Sequence, residues 1–60
     1  RYVKLKLSLL EKKVFEHYKN GKTYREIASE LGVSIKTVDN AVNRIRKKLA
    51  LYVTENFNDN

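Results

Sequence analysis

The stretch Thr23-Tyr24-Arg25-Glu26-Ile27-Ala28-Ser29-Glu30-Leu31-Gly32-Val33-Ser34-Ile35-Lys36-Thr37-Val38 decides how this chain folds. Thr23 and Glu26 have the S/T-x-x-E spacing of a capping box: the hydroxyl accepts from an amide at the start of a helix, and the carboxylate accepts from the cap's own amide. Tyr24, Ile27, Ala28 and Leu31 then fall at i, i+3, i+4 and i+7, one face of a helix. Gly32 closes that helix, because the residue after a helix often needs a positive φ that suits glycine. Ser34 is placed to cap a further helix. A short helix, the turn Gly32-Val33-Ser34 and a second helix form the pattern of a helix-turn-helix, in which the second helix is the reader. Val33 pins the turn to the core, and small Ala28 lets the two helices approach closely. Ser34 directs the amides of the reader's first turn toward a phosphate.

Upstream, Ser8-Leu9-Leu10-Glu11 is a second capping box, followed by Leu10, Val14, Phe15 and Tyr18 on one helical face and by Gly21 as a stop. Downstream, Val38, Val42, Ile45, Leu49 and Tyr52 keep spacings of four, three, four and three. The opposite side of that helix collects Lys36, Asn40, Asn43, Arg44, Lys47 and Lys48. The expected fold is therefore all-α, a small three- to four-helix domain. Residues 8–53 form the helix-turn-helix domain and residues 54–60 a frayed tail. Residues 1–7 form a connector or a short extra helix. Val3, Leu5 and Leu7 alternate with lysines as in a strand, but a single strand has no partner here.

Sixty residues allow one small core. With no Cys, Met, Pro or Trp, neither disulfides nor a cysteine-based metal site supplement it. Thirteen Lys and Arg against seven Asp and Glu leave +6, which points to a polyanion, most simply nucleic acid. The charge is uneven: +5 over residues 1–22, −1 over 23–43 and +2 over 44–60. No apolar run approaches the roughly 20 residues of a membrane span. A basic amphipathic third helix would suit a membrane surface, but its apolar side is needed by the core. One His, no Cys and no glycine-rich phosphate loop leave nothing from which to build a catalytic or metal constellation, so neither an enzyme nor a cofactor is expected. His17, flanking the apolar face of the first helix, is read as a half-buried packing residue. A chain that starts at Arg1 and lacks Met is expected to be a piece of a larger protein.

From Leu10 to Leu49 the sequence LEKKVFEHYKNGKTYREIASELGVSIKTVDNAVNRIRKKL resembles region 4, the C-terminal promoter-reading domain of bacterial sigma factors, and is most similar to the sigma-H type. The residues that carry the likeness are Leu10-Glu11 with Val14-Phe15, Gly21-Lys22-Thr23-Tyr24 with Glu26-Ile27-Ala28, Leu31-Gly32-Val33-Ser34, and Lys36-Thr37-Val38-Asp39-Asn40-Ala41 with Arg44 and Lys48-Leu49. The resemblance implies that the last helix enters the major groove of the minus-35 promoter element. It also implies that another surface holds the β-subunit flap of RNA polymerase, in the cytoplasm, with anti-sigma proteins as a further class of partner. Carried over by position, the base readers are Ile35, Lys36, Asp39, Asn40 and Asn43, with Asn40 foremost because its amide can bond bidentately to adenine. Asp39 reads cytosine or simply favours the helix dipole. Phosphate contacts are expected from Lys22, Thr23, Tyr24, Ser34, Thr37, Arg44 and Lys47. Tyr24 is equally suited to the core, and Arg46-Lys47-Lys48 to a solvated face. The rival resemblance is to the LuxR-type response-regulator output domain, which shares a similar Gly-Lys-Thr/Ser-x-x-Glu-Ile-Ala entry. Its members usually dimerise on two half-sites, whereas a sigma region 4 domain binds as a monomer.

Overall fold

The computed structural model describes residues 5–57, and side chains as far as Glu55. Among them the elements are α1 (Leu9–Lys19), α2 (Tyr24–Leu31) and α3 (Ile35–Phe57). Both capping boxes are formed. Ser8 Oγ accepts from the Glu11 amide at 3.2 Å while the Ser8 amide donates to Glu11 Oε1 at 2.9 Å. Thr23 and Glu26 exchange the same pair of bonds at 3.1 and 2.8 Å. Ser34 Oγ accepts from the Thr37 amide at 3.0 Å, so all three helices start on a hydroxyl.

Two glycines end the first two helices, each in the left-handed region, at φ +86° for Gly21 and +69° for Gly32. After α1, the Gly21 amide bonds the Tyr18 carbonyl at 3.0 Å and the Lys22 amide the His17 carbonyl at 3.3 Å, the reciprocal bonds of a Schellman ending. After α2, the Gly32 and Val33 amides both reach the Ala28 carbonyl, Val33 at 3.0 Å. The reversal between α2 and α3 brings Val33 back onto the core.

The core is one cluster to which α1 gives Val14, α2 gives Ile27 and Ala28, and α3 gives Val38, Ala41, Val42 and Ile45. Leu7, Leu10, Phe15, Tyr24, Leu31, Val33 and Leu49 close around it. The third helix is the post on which the other two lean. Ala41 has too little side chain to register in the apolar spacing, yet it is fully buried, one helical turn from Val38. The stretch Leu5–Leu7 is neither strand nor helix, and its Leu7 packs on the core. Val3 and the rest of residues 1–4 lie outside the described residues. No glycine or proline interrupts α3 after Tyr52, and it continues to Phe57, beyond the boundary at residue 53 that the apolar spacing set. The expected fraying over residues 58–60 lies outside the described residues. No helix among the described residues is long and apolar enough to cross a membrane.

A Cβ at Gly32 would meet nothing within 4 Å, so a substitution there is opposed by backbone conformation alone. Gly32→Ala is expected to destabilise the fold by about 1 kcal/mol, and Gly32→Asn by less. The urea midpoint should fall with an unchanged slope; an unchanged midpoint would refute the role given to this turn.

Candidate nucleic-acid interface

Burial of Val38, Ala41, Val42 and Ile45 leaves α3 a single outward side. Ile35, Asp39 and Asn43 follow one another there at intervals of four, and Lys36, Asn40, Asn43 and Lys47 at four, three and four. All of these side chains are exposed. The five residues expected from the sequence to read bases are therefore brought onto one surface. Among the described residues, Lys36, Asn40, Asn43 and Lys47 have no side-chain partner. Arg46 is held above its ordinary value chiefly by Tyr18, with a small attraction from Asp39 last among the causes. An arginine is charged in any case, and the Tyr18 and Tyr24 rings that favour its charge lie 6.2 Å apart.

The residues expected to hold phosphates fare differently. Thr23 and Ser34 present helix N-termini, and both hydroxyls accept from an amide of their own first turn. The Thr37 hydroxyl lies 2.9 Å from Ser34 Oγ and completes that cap. Tyr24 is half-buried against the core, so its ring serves packing and its amide opens α2. Lys22 is engaged by Glu30, whose carboxyl it holds below the usual value. His17, half-buried as expected, has Nδ1 3.9 Å from the same Glu30. Lys47 is exposed.

Arg44 leads to the residue whose role the sequence reading missed. Glu11, 2% exposed, is the buried charged residue among those described. Its Oε1 accepts from Lys48 Nζ at 2.6 Å and from the Ser8 amide at 2.9 Å, and its Oε2 from Arg44 Nε at 3.0 Å. The Lys48 bond first, then the Ser8 amide and Arg44, outweigh the burial that would raise its carboxyl, and lower it from 4.5 to about 2. The S-x-x-E spacing fully explained Glu11 as a cap, which concealed its second role. The available signal was the pair Arg44 and Lys48, four apart on the flank of α3 between its buried and outward sides.

The family profile described as sigma-70, region 4 matches residues 4–49. The chain is 45% identical over 47 residues to the RNA polymerase sigma-H factor of Bacillus licheniformis, covering 78% of this chain and 21% of that protein. It is equally similar to the RNA polymerase sigma-H factor of Bacillus subtilis strain 168, covering 22% of that protein. This chain thus spans about a fifth of the length of these relatives. No solved structure matches it. The likeness to LuxR-type domains receives no support from these matches.

A carboxyl lowered by folding contributes stability that is complete above its unfolded value and lost as pH falls toward its folded one. For Glu11 that window runs from about 4.5 down to about 2. Urea unfolding at successive pH values should show stability falling through this range, and Glu11→Gln should flatten the fall. An equally steep acid limb in the variant would contradict the assignment.

Proposed function

This chain belongs to the sigma-70 region 4 family, and on that premise we propose that it reads the minus-35 element of promoter DNA with the outward side of α3. A second surface docks the domain on RNA polymerase, through the flap of its β subunit. The observation that carries the reading is the two-sided third helix: one side is buried in the core, and on the other Lys36, Asn40, Asn43 and Lys47 are exposed and have no side-chain partner among the described residues. Such a helix, preceded by a short helix and a tight turn, fits the major groove.

In that pose the Asn40 amide bonds the N6 and N7 edge of adenine, and Lys36 donates to guanine or to a phosphate. Asn43 reaches a neighbouring base edge, and Ile35 packs on a thymine methyl. Asp39 accepts from cytosine or favours the dipole at the start of α3. The first-turn amides at Thr23 and Tyr24 and those capped by Ser34 and Thr37 approach phosphates, where the helix termini favour negative charge. Lys47 and Arg44 add cationic contacts, and Lys22 does so by exchanging Glu30 for a phosphate oxygen. The domain binds an asymmetric site as a monomer.

With about four phosphates neutralised, log affinity for duplex DNA should fall against log salt with a slope of about −3 to −4. A flat dependence would exclude the reading. Asn40→Ala should relax preference at one base pair by roughly 1–3 kcal/mol, whereas Lys47→Ala should weaken all sequences alike. The reverse pattern would mean that a different side of α3 faces the bases.

A further inference from the structure

Arg44 donates through Nε to Glu11, yet 52% of its side chain remains exposed. A guanidinium carries five N–H donors in a rigid planar fork, and the bond to Glu11 occupies one of them. Fixing Nε therefore also fixes the direction of the four terminal donors. Among the described residues Arg44 has no partner besides Glu11. Glu11 is itself firmly held, with Oε1 bound by both the Ser8 amide and Lys48. Of the two cations on this flank, Lys48 neutralises the buried carboxylate, while Arg44 is anchored at its neck with its head in solvent.

We infer that Glu11 is a positioning residue for DNA binding, its carboxylate clamping Arg44 Nε so that the terminal guanidinium donors are presented to a phosphate oxygen. The inference rests on the DNA reading proposed above and deepens it. An arginine that is already oriented loses less rotamer freedom when it meets a phosphate, and it can meet one bidentately. Bulk electrostatics argues for the opposite sign. Removing a negative charge from Glu11 raises the net positive charge of the chain, which by itself tightens binding to a polyanion. The direction of the Glu11→Gln effect therefore separates the two.

The experiment uses the 60-residue chain and a duplex of that chain's own choosing, enriched from a random-sequence pool. Affinity is measured against salt for the unmutated chain, Glu11→Gln, Arg44→Lys and the double variant, at a temperature where circular dichroism shows each fully helical. Gln can still accept from the Ser8 amide, and Lys can still pair with Glu11 but has no fork. Each single variant is expected to bind roughly tenfold more weakly. Arg44→Lys should also lower the salt slope by about one, and the double variant should be no weaker than Arg44→Lys, since Glu11 acts through Arg44. Equal or tighter binding by Glu11→Gln, or losses that multiply in the double variant, would overturn the inference. Should Glu11→Gln fail to fold, Arg44→Lys decides alone: unchanged affinity and slope overturn it. If the unmutated chain enriches no sequence and shows no salt-dependent binding, the DNA reading falls and the inference with it.

Discussion

A buried carboxylate between α1 and α3 is the interaction around which this small molecule is organised. Glu11 receives a cap amide from its own helix and two cations from α3, one turn apart. Apolar contacts between two helices tolerate rotation and sliding of a residue's width. A carboxylate with three donors does not, and leaving it without its cations would strand a charge in the interior. The pair of bonds therefore ties this flank of α3 to the start of α1, while the apolar core fixes which residues face outward. In a chain with no disulfide and one small core, that register is the property on which any reading surface depends.

The same logic explains why the charge of the chain is a poor map of its interface. The thirteen Lys and Arg behind the overall +6 include cations already committed within the fold. Lys48 balances Glu11, and Lys22 faces Glu30. The centre of the outward side of α3 is neutral and polar, Asn40 and Asn43 between Lys36 and Lys47. Cations at the edges and amides in the middle suit a groove whose walls are anionic and whose floor carries donors and acceptors.

Much of this architecture is legible in the sequence because its boundaries are local. A hydroxyl and a glutamate three residues apart, or a glycine after an apolar face, signal helix ends without help from distant residues, and Ser8, Thr23, Ser34, Gly21 and Gly32 behave accordingly. The outward side of α3 followed from the same periodicity. What escaped was non-local or small: the second role of Glu11 needs two residues more than thirty positions away. Ala41 is buried by its neighbours rather than by its own apolar bulk. Apolar spacing ceases before α3 does, and the helix runs on to Phe57; without Gly or Pro the backbone bonds carry on.

The claim that α3 is locked with its outer side free for DNA can be tested directly by nuclear magnetic resonance of the labelled chain during titration with the enriched duplex. Perturbations should concentrate at Lys36, Asn40, Asn43, Lys47 and the amides opening α2 and α3, while Val14, Ile27 and Val42 keep their contacts. Perturbations gathered instead around the exposed Leu51 and Val53, with the Lys36–Lys47 side unchanged, would contradict it.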